Sequence, residues 1–232
     1  WHSDCTAGNL TTISSAPKTG KSAFVGAMLA ATACHDQTAD CLHITSANPN
    51  GFAVVHFDTE QCPQDHWSLV QRSLHRAGLE HPPTWWLSYG IAGFTVSESR
   101  AALDYALHDA KAKFGGIHSV LIDGAGDMVN DPNDADECNA YVAQHHAYAI
   151  ENACSFVEII HLNPGTQKTR GHLGSQLERK SETNLAIETD GDAVVVFSTR
   201  NRRAPISKAS GPRFAWSDQR GMHVSVESSG DA

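Results

Sequence analysis

Ser15-Ala16-Pro17-Lys18-Thr19-Gly20-Lys21-Ser22 places a glycine, a lysine and a hydroxyl in consecutive positions at the end of an eight-residue loop. That order suits the grip of a polyphosphate. Backbone N–H groups of such a loop converge on a β-phosphate, helped by the positive end of a following helix. Gly20 lets the main chain come close, Lys21 reaches the β- and γ-phosphates as a point charge, and the Ser22 hydroxyl can ligate Mg²⁺. The pattern is GxxxxGK[ST] with Ser15 in place of the first glycine. The departure touches the entry to the loop and leaves Gly20, Lys21 and Ser22 in register.

A triphosphate grip of this kind needs an acid for the magnesium shell. His118-Ser119-Val120-Leu121-Ile122-Asp123 supplies one, an apolar run that ends in a carboxylate about 100 residues after the loop. Hydrolysis also needs a group to orient the attacking water. Val54 to Gln61 (VVHFDTEQ) ends in two acids, and Glu60 is the choice for that role. Asp58 is its rival, or else caps the turn.

These residues need elements to hold them. Leu10–Ser14 reads as a short buried strand, and Lys21 to about Ala33, Ala-rich and apolar, as a helix packed under a sheet. Strands follow at 51–58, 85–88, 118–123 and 155–161, with helices at 63–77, 100–113 and 136–152; Ser97 and Ser99 are candidate starts of the second of these. The alternation implies a mostly parallel sheet covered on both faces. After Asn163 the texture changes. A polar, glycine-bearing stretch, 164–174, precedes strands at 185–188, 193–199, 212–216 and 222–226. The expected fold class is therefore α/β: a RecA-like P-loop NTPase core, about 9–163, with an antiparallel extension, about 184–227, in one domain spanning 1–232. Gly230 onward is expected to fray.

Composition bounds the rest. With 232 residues and 41% hydrophobic content the chain can bury a sizeable core. No apolar run of 18 residues exists, so no membrane partner is expected, and no signal peptide is visible at Trp1. The start lies close to the first strand, which suggests a domain cut from a longer polypeptide or a minimal ATPase. The formal net charge of −9 argues against a broad nucleic-acid surface but leaves room for a narrow basic loop. Six cysteines without a CxxC read as reduced thiols of a cytoplasmic protein. Among the fourteen histidines no common zinc spacing occurs, and His145 and His146 point in different directions on a helix.

Taken together, SAPKTGKS, FDTEQ, VLIDG and HLNPG…RGHLGS resemble the RecA/DnaB-like ATPases of the RepA type, hexameric plasmid helicases and related phage and mobile-element ATPases. The resemblance runs from Asn9 to about Val226. It implies ATP and Mg²⁺ as ligands, with Glu60 as catalytic glutamate and Asp123 as the Walker B acid. His161 matches the residue that senses the γ-phosphate. Asn163–Gly171 matches the channel loop that contacts single-stranded DNA, with Lys168 and Arg170 as phosphate contacts. Basic residues near Arg200, Arg202 and Arg203 match those that reach the γ-phosphate of a neighbouring subunit; if the strand continues, Arg200 and Arg202 share one face and Arg203 the other. No guanine-reading NKxD motif occurs, so ATP rests on the resemblance. The reading is a ring-forming DNA helicase or translocase that self-associates, with a nucleotide-dependent assembly or regulatory ATPase as the alternative.

Overall fold

The computed structural model describes residues 5–34, 39–163 and 169–227. Its elements are, in chain order, β1 (Leu10–Ser15), α1 (Lys21–Ala33), β2 (Ala53–Asp58), α2 (Pro63–Ala77), β3 (Trp86–Gly90), α3 (Val96–Phe114) and β4 (Ile117–Asp123). A 3-10 turn (Ala125–Met128) leads to α4 (Ala135–Asn152), β5 (Ser155–His161) and α5 (Gly171–Lys180). β6 (Thr183–Asp190), β7 (Ala193–Asn201), β8 (Arg213–Ser217) and β9 (Met222–Val226) complete the chain.

The described strands form one nine-stranded sheet in the order β3-β2-β4-β5-β1-β6-β7-β8-β9. From β3 to β6 every pairing is parallel, and from β6 onward each is antiparallel. The alternation of side chains along each strand splits the core in two. Leu10, Val55, Phe57, Val120, Ile122, Phe156 and Ile160 share a cluster with Leu103, Leu107, Tyr141 and Leu173 from α3, α4 and α5. Ile13, Val54, Leu121, Val157 and Ile159 share the other with Phe24, Val25 and Leu29 of α1 and Leu69 and Leu74 of α2. Helices therefore cover both faces, as a parallel sheet requires.

Four boundaries differ from the sequence reading, each for a local reason. The segment 164–174, expected to lack structure, gives way to α5 at Gly171. Only Leu173 and Leu177 mark its buried face, at a spacing of one turn, and two glycines hide the helix. Those glycines are required by close packing. A Cβ on Gly171 would lie 2.4 Å from the Pro132 carbonyl oxygen, and one on Gly174 2.4 Å from Thr169 Oγ1. The strand expected in the antiparallel extension at 185–188 is β6, which pairs parallel with β1; the antiparallel part begins at β7. α3 starts at neither Ser97 nor Ser99. Thr95 caps it, in a capping box closed by Glu98. β3 lies one to two residues later than expected, ending at Gly90 opposite Asp58.

Among the described residues no helix is long and apolar enough to cross a membrane. Cys41, Cys138 and Cys154 are buried, Cys5 and Cys34 half-buried, and Cys62 exposed.

Candidate functional site

In an open parallel sheet, ligands bind outside the carboxyl ends of the strands. Here β1, β2, β4 and β5 end on Ser15, Asp58, Asp123 and His161. The register sets Ser15 beside His161 and Asp58 beside Asp123. The residues singled out from spacing alone thus meet at one edge of the sheet.

The loop between β1 and α1 is shaped by two left-handed residues, Lys18 (φ 63°) and Gly20 (φ 85°), the latter capping α1. Lys18 bears a side chain in a conformation that favours glycine, a strain of order 1 kcal/mol that must be offset elsewhere. The Thr19 hydroxyl steadies the loop through the Ala16 carbonyl at 2.8 Å. Gly20 also sits against β8, where an added Cβ would lie 2.9 Å from the Phe214 ring. Among the described residues, no acceptor lies within hydrogen-bonding reach of the N–H groups of Lys18, Thr19, Gly20, Lys21 or Ser22; the first bond of α1 runs from Phe24 N to Gly20 O, 3.1 Å. A run of open N–H donors at a helix N-terminus fits an anion and little else. Ser15, counted with this loop in the sequence, is instead the buried last residue of β1, with an unpartnered hydroxyl. Ala16 begins the turn, and Pro17 and Lys18 are exposed.

Lys21 is the centre of the site. Its Nζ lies 2.8 Å from Glu60 Oε2, 3.0 Å from Asp123 Oδ1 and 3.2 Å from His161 Nε2. His161 Nε2 is also 2.9 Å from Glu60 Oε1. Burial opposes the Lys21 charge, but the two carboxylates outweigh it and raise its pKa above the usual lysine value. For Glu60 burial works upward too, yet the His161 hydrogen bond and the Lys21 charge bring its pKa down to about 2. Asp123, 1% exposed, goes the other way: burial raises it, more than Lys21 lowers it. Such a carboxyl is poised to gain from a cation placed beside it.

The turns that carry Glu60 and Asp123 are pinned together. Thr59 N donates to the Asp123 carbonyl oxygen at 3.0 Å, and Thr59 Oγ1 lies within 3.1 Å of the Asp123 and Gly124 carbonyl oxygens. Gly124 (φ 108°) makes that approach possible, since a Cβ there would lie 2.0 Å from Thr59 Oγ1. Thr59 was not singled out in the sequence, although it stands inside DTEQ. Asp58, weighed as the rival of Glu60, caps the turn: its Oδ1 accepts from Glu60 N at 3.2 Å and Gln61 N at 3.0 Å.

The remaining predicted residues lie apart from this cluster. His161 is followed by an antiparallel bridge, Leu162 with Thr169, that closes the root of the expected channel loop, and Arg170 N donates to the His161 carbonyl oxygen at 3.2 Å. Arg170 is exposed at the start of α5, whereas Lys168 lies outside the described residues. Arg200, in β7, pairs with Asn184, towards the opposite edge of the sheet from Lys21. Arg203 Nε donates to the buried Glu182 Oε1 at 2.7 Å, so its charge is engaged within its own chain. Arg200 and Arg202 are exposed and make no ion pair among the described residues.

The sheet order and loop geometry define a RecA-like P-loop fold. Among solved structures the chain is similar to the ATPase domain of a DnaB-like helicase, with a TM-score of 0.62 and 15% identity over 96% of this chain and 86% of that one. No family model matches the sequence, and no curated protein matches it.

Proposed function

We propose that the protein binds and hydrolyses ATP with Mg²⁺ at the Lys21 cluster. The reading is carried by one observation: an ammonium held between Glu60, Asp123 and His161, beside five N–H groups without acceptors. The N–H groups from Lys18 to Ser22 cradle phosphate, and Lys21 neutralises its charge. Ser22 and Asp123 would hold Mg²⁺, whose part is to neutralise charge on the β- and γ-oxygens. Glu60 accepts a proton from water, for which its low pKa is suited only after Lys21 turns to phosphate and releases it. His161 then stays on Glu60 through Nε2 and reports on the third phosphate.

The finer reading is a ring-forming, RepA-type helicase or translocase that moves on single-stranded DNA, as an oligomer of six copies. It is supported by two placements. The backbone of His161 roots the loop that carries Arg170, so a change at the γ-phosphate is transmitted to the expected DNA contact. The exposed Arg200 and Arg202 lie towards the far edge of the sheet, where they can serve only another copy's phosphate. The net charge of −9 favours the alternative, a nucleotide-dependent assembly or regulatory ATPase that unwinds nothing.

The test is ATPase rate and native mass, each with and without single-stranded DNA. The helicase reading expects a ring-sized mass and stimulated hydrolysis. Hydrolysis without any DNA binding leaves the regulatory ATPase, and absence of ATP binding in the wild type removes both. Lys21→Ala is expected to abolish turnover and weaken nucleotide binding by ~10-fold or more, equivalent to one lost charge-assisted contact.

A further inference from the structure

We propose that His66, on the first turn of α2, is a positioning residue that fixes Glu60 through Asp58; the inference rests on the reading of Glu60 as the group that polarises water. Asp58 is fully buried and accepts from four donors, namely Glu60 N, Gln61 N, Gln61 Nε2 at 2.7 Å and His66 Nδ1 at 3.1 Å. It thus ties the backbone of the catalytic turn to a side chain on the next helix. An ionised carboxylate only accepts, so His66 Nδ1 carries its proton toward Asp58.

The other side of the ring is held as firmly. His66 Nε2 lies 3.3 Å from Ser88 Oγ on β3, and Ser88 Oγ lies 2.9 Å from Nδ1 of the buried His56. The rings of His56 and His66 stack at 5.8 Å, and Gly90 leaves room for His66, where a Cβ would come within 3.2 Å of it. Donors and acceptors then run one way. His56 Nδ1–H donates to Ser88, the Ser88 hydroxyl to His66 Nε2, and His66 Nδ1–H to Asp58. This polarity leaves His56 Nε2 as a bare nitrogen, and that atom is buried without a partner. An unpartnered acceptor costs less than the unpartnered N–H that the reversed chain would create. The chain anchors the Glu60 turn to the edge strand and the core of β2, at a distance from the phosphate loop.

A misplacement of about 1 Å at a reacting group can cost ~10²-fold in rate. His66→Leu removes the donor to Asp58, while His66→Asn restores an N–H near the Nδ1 position. The expected result for His66→Leu is kcat lower by ~10–100-fold with KM and nucleotide Kd within ~3-fold of the wild type, and for His66→Asn a return to within ~5-fold. An unchanged kcat in His66→Leu, a matching loss of affinity, or no recovery in His66→Asn overturns the proposal. Should His66→Leu fail to fold, Ser88→Ala, which frees the far nitrogen of the ring, is expected to lower kcat by ~3–10-fold, and an unchanged rate again overturns it. The Glu60 amide proton gives a readout independent of turnover: in His66→Leu its NMR resonance is expected to move upfield as the bond to Asp58 loosens, and in His66→Asn to stay in place. A wild type that hydrolyses no nucleoside triphosphate defeats the functional reading, and the amide resonance alone then decides the positioning role.

Discussion

Glu60→Gln separates the chemistry of the site from its electrostatics. The amide preserves size and the turn held by Asp58 but removes the charge that faces Lys21 and His161. As a base, glutamine cannot take a proton from water, so turnover is expected to fall by ~10²–10⁴-fold with nucleotide binding retained. The same change has a signature in stability. The folded pKa of Glu60 is about 2 against an ordinary 4.5, a difference that corresponds to about 3 kcal/mol. With 30% of the side chain exposed, solvent screening makes that an upper figure. Because the folded value lies below the unfolded one, this stabilisation is complete above about pH 4.5 and is lost as pH falls through about 2. Urea unfolding of the wild type and of Glu60→Gln at a series of pH values reads the effect directly. The stability difference should be level from pH 7 to pH 5 and then shrink toward zero as pH approaches 2. A difference that ignores pH, or one that grows on acidification, refutes the ion-pair arrangement at Lys21.

Gly124→Ala forces a side chain into the Thr59 hydroxyl at a left-handed position and is expected to cost about 2 kcal/mol or more, read as a lowered Tm, with neutrality showing that the turns of Glu60 and Asp123 are not pinned. Arg200→Ala should slow hydrolysis by up to ~10³-fold with the fold intact, and doping it into wild type should poison mixed oligomers; a mixture that merely averages the two rates counts against action in trans. Arg203→Ala should instead lower stability by about 1–3 kcal/mol, since Glu182 would lose its cation while remaining buried. Burial brings the His56 pKa down to about 4, so the wild type should lose up to about 3 kcal/mol as pH falls from 6.5 to 4, a slope that His56→Gln flattens; parallel curves for the two proteins would sink the assignment.

How much of this was legible in the sequence follows from where each residue gets its constraint. The loop, Glu60 and Asp123 were readable because local patterns fix them: a β-branched strand, a GKS, an apolar run ended by an acid. α1, α2, β5 and β9 were placed to the residue for the same reason. α5 was hidden because its glycines serve distant partners, Pro132 and the turn at Thr169, and such contacts leave no local trace. β6 looked antiparallel because it precedes a hairpin, whereas its partner β1 lies over 160 residues back. The roles of Asp58 and His66 were equally closed to inspection. Both are set by hydrogen bonds across β2, α2 and β3, and a strand-end Asp-x-Glu does not say which acid points into the site.

The register carries a consequence for catalysis. Arg200 lies opposite Asn184, and Asn184 opposite Thr12, three residues before the end of β1 at Ser15. At about 3.3 Å per residue the backbone of Arg200 is ~10 Å from the level of the phosphate loop, and two strand spacings of about 4.8 Å separate β7 from β1. A guanidinium anchored there and pointing into solvent does not complete its own site. Every positive charge that the chain brings to its own phosphates therefore comes from Lys21 and the loop amides, while Lys21 is shared with two carboxylates. One ammonium divided in this way leaves transition-state charge under-compensated, and a second cation must come from a surface that the fold turns outward. The exposed arginines of β7 are suited to supply it, which makes the active unit an assembly.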